Sequence, residues 1–243
     1  MMLDQVKKLS SELRLYGFND HSERRSEEAL SNQLHPLEFL KLLLQDEQLS
    51  RKDKRSKSLI TKAKFRSNAD LEDWDLSFDR GLSKAKFKEL FLFNFYHNRE
   101  NLIILGSTGA GKTHLAISLG RRLCQDVITT AFLPMNFLFE EALAQRASGK
   151  YLQYIRKVTK AQIIILDDFG LRNYTHEEAT ILVDILEERY QKGSVILTSQ
   201  VDPKGWVKLF EDPVIADAIV DRLNNPSSKI TLKGGSYRER INK

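Results

Sequence analysis

Residues 106–113 read GSTGAGKT. Two glycines separated by four residues, then lysine and a hydroxyl residue, form a Walker A loop when a strand precedes them and a helix follows. The apolar run LIIL (102–105) and the helix-like HLAISLGRRL (114–123) supply that context. Glycines at 106, 109 and 111 let the backbone curl so that its N–H groups face a phosphate, and the next helix adds its positive N-terminal end. Candidate nucleotide-binding residues are therefore Gly106, Ser107, Thr108, Gly109, Ala110, Gly111, Lys112 and Thr113, with His114 directly after them. Lys112 is expected at the β- and γ-phosphates, and the Thr113 hydroxyl on Mg2+.

Working outward, the chain from Asn101 alternates short apolar runs with longer amphipathic segments. Expected strands are LIIL, ITTAFL (128–133), IIIL (163–166), VILTS (195–199) and KITL (229–232). Runs of this length suit strands covered on both faces and joined by right-handed helical crossovers. The expected fold is α/β, a P-loop NTPase with a five-stranded, mainly parallel sheet flanked by helices. One helix marks its own start, because Thr175 and Glu178 have capping-box spacing; Leu182, Ile185 and Leu186 make its buried stripe, and Gly193 is placed to end it.

The metal needs a second anchor, and IIILDDFG (163–170) offers Asp167 at the end of an apolar strand. Asp168 is the candidate for polarising the attacking water, although related ATPases usually place the longer Glu there. The letters DFG also occur in protein kinases, but no HRD pattern accompanies them and the glycine loop is of the Walker type. Between the Walker segments lies an extra strand with its helices, and VILTSQ follows. This is the order of the ATPase branch that carries a sensor residue on the strand between the two Walker strands. Gln200, with Thr198 and Ser199 just before it, is the candidate sensor of the γ-phosphate.

The first hundred residues have a different texture. Pro36 suits a first helical turn, and Leu37, Leu40 and Leu44 with Phe39 and Leu43 recur at helical spacing. The expected organisation is a small helical N-terminal domain over 1–75, for DNA or partner binding, and an ATPase domain over 76–243. Within the first region Arg51, Lys52, Lys54, Arg55, Lys57, Lys62, Lys64 and Arg66 lie close together, opposed only by Asp53. A second basic group is Lys150, Arg156, Lys157 and Lys160. Either could track phosphates, and a solvated helix face is the plain alternative.

Bulk composition narrows the class. The chain has 243 residues, 41% hydrophobic, with 38 Lys plus Arg against 33 Asp plus Glu and a net charge of +5. That favours polyanionic partners without proving one. One cysteine, Cys124, cannot pair within the chain, so a reducing compartment is expected, and scattered histidines argue against a structural zinc site. No apolar run approaches a bilayer span and the N-terminus is too charged for a signal peptide, giving a cytoplasmic, non-membrane expectation.

The segments GSTGAGKTHLA, IIILDDFG, ILTSQVDPKGWVKLFEDPVIADAIVDRL (196–223) and ITLKGGSYR (230–238) together resemble the AAA+ ATPases of the IstB type. These are transposition helpers of bacterial insertion sequences and relatives of DnaC-type helicase loaders. The resemblance implies an ATP-dependent DNA-binding protein that forms a homo-oligomer on double-stranded DNA, recruits and stimulates a transposase, and leaves when ATP is hydrolysed. It implies Arg222 as an arginine acting in trans on a neighbour's γ-phosphate, and Arg238 as a second sensor arginine. No C-terminal helical lid domain of the kind found in the wider superfamily is expected. A DnaC-like helicase loader on single-stranded DNA is the alternative, and a small-molecule kinase using the same loop is a third reading.

Overall fold

The computed structural model describes residues 2–75, 77 and 80–235. Two compact units divide at Met1–Ser58 and Leu59–Lys243. The first holds α1 (Met2–Glu12), α2 (Tyr16–Ser31) and most of α3 (Pro36–Ala63). Helices α2 and α3 touch where Gly17 lies, since a Cβ there would fall 2.5 Å from the Ser50 Cβ. Arg25 clamps Asp46 through two bonds of 2.7 and 2.9 Å, and its guanidinium holds that carboxyl below the usual carboxylate range. The leucine periodicity does form a helix, but only Leu43 is buried; Leu37, Leu40 and Leu44 are exposed.

The second unit is built on five parallel strands: β1 (Asn101–Gly106), β2 (Thr130–Pro134), β3 (Ile163–Phe169), β4 (Ser194–Ser199) and β5 (Ser227–Leu232). Their order is β2-β3-β4-β1-β5. Alternation along each central strand feeds two apolar layers. Ile103, Ile164, Leu166, Val195 and Leu197 face one; Leu102, Ile104, Ile163, Ile165 and Ile196 face the other. This is why the central runs read as continuously apolar. At the edge, β5 buries only Ile230 and Leu232 and turns Lys229 and Thr231 outward.

Around the sheet lie α4 (Lys84–Leu90), α5 (Asn94–His97), α6 (Lys112–Gln125), α7 (Met135–Ala147), α8 (Tyr151–Thr159), α9 (His176–Arg189), a 3-10 helix (Pro203–Leu209) and α10 (Pro213–Asn224). The division at Ser58 falls earlier than the boundary expected after residue 75. The reason is packing: Ala69 and Trp74 are buried in the second unit's core, with Phe65 and Leu71 against it. Gly120 of α6 admits Phe65, because a Cβ there would lie 2.8 Å from that ring. Residues 59–75 carry the end of the basic run and the start of an acidic stretch, DLEDWDLSFD (70–79), whereas their few apolar residues decide where they pack.

The capping box of α9 is present, with the Glu178 N–H donating to Thr175 Oγ1 at 3.3 Å and the Thr175 N–H donating to Glu178 Oε2 at 3.0 Å. Its C-terminus differs from expectation. The helix stops at Arg189 and Gln191 takes the left-handed conformation. Gly193 instead makes room, since a Cβ there would meet Arg189 Nη2 and the Gln162 carbonyl oxygen, each at 2.5 Å. Among the described residues, no helix is long and apolar enough to cross a membrane.

Candidate functional site

Three strand ends meet at the C-terminal edge of the sheet. The order places β4 between β1, which leads into the glycine loop, and β3, which ends in the paired aspartates. A cavity of about 1000 Å³ opens there, with Thr108, Gly109, Gly111, Lys112, Thr113 and His114 on one side and Asp168 and Gln200 on the other. Ligands of open parallel sheets bind at this edge.

The loop's conformation requires its glycines. Gly111 has φ +98°, and a Cβ there would lie 2.8 Å from Arg80 Nη1. A Cβ on Gly106 would approach the Leu232 carbonyl oxygen to 2.7 Å. Lys112 is buried at the start of α6 and donates from Nζ to the Ser107 carbonyl at 2.9 Å, curling over the loop. The Ser107 hydroxyl donates to the Gly234 carbonyl at 3.2 Å, so the chain after β5 passes the loop. Arg238 lies outside the described residues.

Asp167 is fully buried. Its Oδ1 accepts from Thr113 Oγ1 at 2.8 Å and from Thr198 Oγ1 at 2.7 Å. Thr198 in turn accepts from the Asp168 N–H at 2.9 Å, so one β4 hydroxyl links both aspartates. The pairing of β3 with β4 shifts register between Leu166 and Phe169, and Asp168 has φ +66°. Such a bulge re-aims side chains at a strand end. Burial pushes the Asp167 carboxyl up from its ordinary value, its neighbour Asp168 adds to this, and the Thr198 and Thr113 hydroxyls and Arg66 oppose it. Its second oxygen, Oδ2, has no aligned hydrogen-bond donor among the described residues, although Arg66 Nη2 stands 2.9 Å away as an ion pair. A hydroxyl and a buried carboxylate with a spare oxygen form a hard-oxygen pair suited to a small divalent cation.

Gln200 reaches the loop, its Oε1 accepting from Thr108 Oγ1 at 2.7 Å. The strand end that carries it is fixed by Trp206, fully buried, whose indole N–H donates to the Val201 carbonyl at 2.8 Å. His114 lines the cavity with its ring 5.8 Å from that of Trp74, and burial pulls its pKa down, favouring neutral imidazole.

One wall was not anticipated. Asn68, Ala69, Asp73 and Arg80 line the cavity, and the Arg80 guanidinium lies 4.0 Å over the Trp74 ring. The only sequence signal was an aromatic residue within the acidic stretch DLEDWDLSFD (70–79) and an arginine directly after it. Arg66, grouped with the basic run, instead reaches the aspartates.

The remaining candidates lie elsewhere. Arg222 pairs with Glu187 of α9 and donates from Nη1 to the Ala218 carbonyl at 3.0 Å; the cavity lining does not include it. In the basic run, Arg51 is bonded to Glu47, Lys57 to Asp53, and Lys54 sits 4.3 Å over the Tyr16 ring. Lys52, Arg55, Lys62 and Lys64 are exposed. Lys150, Arg156, Lys157 and Lys160 are exposed along α8, whose Ile155 and Val158 face inward.

Residues 8–243 match the family model described as IstB-like ATP binding protein. The chain belongs to the IstB-like ATP-binding family. It is 32% identical over 236 residues to an insertion-sequence IS21 ATP-binding protein of Pseudomonas aeruginosa, covering 97% of this chain and 89% of that one. It is 36% identical over 208 residues to an insertion-sequence ATP-binding protein of Sinorhizobium fredii, covering 86% and 85%. Among solved structures, DnaI aligns with TM-score 0.60 at 21% identity, over 73% of this chain and 94% of that chain. The DnaC helicase loader aligns with TM-score 0.56 at 22% identity, over 70% and 100%. AMPPCP-bound DnaA of Aquifex aeolicus gives TM-score 0.59 at 19% identity, over 73% and 54%. At these identities the structural likeness concerns the fold: this IstB-like chain has a P-loop α/β fold of the AAA+ type, and its family is an ATP-binding one.

Proposed function

We propose that this IstB-like chain is an ATP-hydrolysing transposition helper. It assembles with ATP and Mg2+ as a homo-oligomer on duplex target DNA in the cytoplasm, recruits and stimulates a transposase, and is released when ATP is hydrolysed. The insertion-sequence relatives support the setting, and the residues at the sheet edge support the chemistry.

Thr113 and the spare Asp167 oxygen fit Mg2+, and the glycine-loop N–H groups with Lys112 fit the triphosphate. The metal's contribution is to neutralise charge at the β- and γ-phosphates. Asp168, held by Thr198 through its backbone N–H, orients the attacking water and draws its proton. Gln200, bonded to Thr108, reports the presence of the γ-phosphate to the end of β4.

One observation carries the link from hydrolysis to assembly. The Arg222 carbonyl accepts from Asn101 Nδ2 at 2.8 Å, at the start of β1, whereas the glycine loop follows its end. Along a strand at about 3.3 Å per residue, those ends are roughly 16 Å apart. An arginine at this edge serves a neighbour's site, where its charge stabilises the transferring phosphoryl group. The exposed cations of α3 and α8 are the surfaces proposed to meet DNA.

Mixing tests this directly. Lys112→Ala and Arg222→Ala should each lack turnover alone, while a mixture should regain it, because one chain supplies the loop and the other the arginine. A mixture that stays inactive, or normal turnover in Arg222→Ala alone, would return that arginine to a surface ion pair with Glu187.

A further inference from the structure

We propose that Arg66 holds the cation position beside the phosphate loop in the nucleotide-free chain and is exchanged for the divalent ion when metal and nucleotide bind. This rests on the ATP–magnesium reading of the site and adds the group that the metal must displace.

Arg66 engages the oxygens that reading assigns to the metal and the base. Its Nη2 donates to Thr113 Oγ1 at 3.0 Å and lies 2.9 Å from Asp167 Oδ2, while Nη1 is 3.5 Å from Asp168 Oδ2. The ring of Phe132 stands 5.8 Å from its Cζ. Mg2+ binds its oxygens at about 2.1 Å. A guanidinium this close to the same oxygens cannot remain there beside the ion, because like charges would crowd one pair of acceptors.

A buried carboxylate needs a counter-charge. Asp167 is shut off from solvent, and leaving it ionised and unpaired is costly. Arg66 supplies that charge through contacts that can be given up. Its side chain is 44% exposed, and its approach to Asp167 Oδ2 lacks hydrogen-bond alignment. Arg189 shows the contrasting permanent arrangement: it is 3% exposed and donates to four backbone carbonyls. Arg66 also sits just past the end of α3, in a stretch that includes Lys64 at φ +58° and lines the cavity from Arg66 to Ala69. Exchanging the guanidinium for the ion therefore changes what holds this stretch, and site occupancy is felt at the end of α3.

The test is Mn2+ binding to the nucleotide-free protein, read from the electron paramagnetic resonance of the unbound ion. Arg66→Ala should bind Mn2+ about tenfold more tightly than wild type, a shift of about 1.4 kcal/mol. Arg66→Lys should fall between them, and adding Asp167→Asn should abolish the gain. In EDTA, Arg66→Ala should melt below wild type, with Mn2+ raising its Tm by more than it raises wild type's. Equal or weaker Mn2+ binding in Arg66→Ala would overturn the exchange. Should Arg66→Ala fail to fold, the ordering of Arg66→Lys against wild type decides in its place. A fluorescent ATP analogue with Mg2+ separates the two layers: if wild type binds none, the ATP reading fails and the exchange with it; if wild type binds normally, a flat Mn2+ series rejects the exchange alone.

Discussion

Thr198 is a buried hydroxyl on β4 that bonds to both Asp167 and the Asp168 backbone, and it follows the apolar run Val195–Leu197 and precedes Ser199. Thr198→Val keeps the shape and removes the link, leaving the Asp168 N–H without that acceptor. The expected cost is about 1–3 kcal/mol of stability by chemical denaturation, with reduced ATP turnover and largely retained nucleotide binding. Asp168→Asn should retain ATP and hold the assembled form; rapid hydrolysis in that variant would remove Asp168 as the base. Gly111→Ala meets both a left-handed backbone and the Arg80 guanidinium, so loss of nucleotide affinity is expected in equilibrium binding. At this scale the loop and Asp167 were legible, because their chemistry depends on neighbours in sequence. Arg66, Trp74 and Arg80 were not. They reach the loop only through tertiary packing, and the charge run around Arg66 suggested a DNA contact or a solvated helix face.

At the scale of elements, α9 combines one readable signal with one hidden one. Its capping box follows from the Thr175–Glu178 spacing, but Arg172 also clamps Glu178 at 2.8 and 2.5 Å. The Arg172 bonds hold the Glu178 carboxyl below its ordinary value, despite opposing burial. A depressed folded-state pKa contributes stability above the unfolded value, and that contribution is lost as pH falls from 4.5 toward the folded pKa. Glu178→Gln should therefore cost about 1–2 kcal/mol near neutral pH, and its stability should converge on wild type in acid. Arg189 at the other end was invisible to periodicity. Burial pulls its pKa down to about 10, and four carbonyls of the α8–β3 connection and β4 receive its N–H groups. Arg189→Met should destabilise by about 3 kcal/mol or more, since those carbonyls lose their donor in a buried setting. A cost below 1 kcal/mol in denaturant melts would show that water replaces the clamp.

For the whole molecule, the five strands were legible from the alternation of apolar runs, and the place of VILTSQ between the two Walker strands from its position after the second Walker segment, whereas the edge positions of β2 and β5 come from the structure. The division between units was less so: composition placed it after residue 75, whereas Phe65, Ala69 and Trp74 tie that segment to the second unit. The sheet carries the Walker-loop cavity at one edge and Arg222 at the other, the placing that the proposed homo-oligomer would use head to tail, each subunit completing the next. The most direct measurement is sedimentation of the purified chain with a labelled duplex and with its single strand, each with ATP, ADP or no nucleotide. Large assemblies formed only with ATP and duplex are the expected result, and they should vanish in Lys112→Ala. Preference for the single strand would indicate helicase loading, and absence of DNA binding under every nucleotide would contradict nucleotide-driven assembly on DNA altogether.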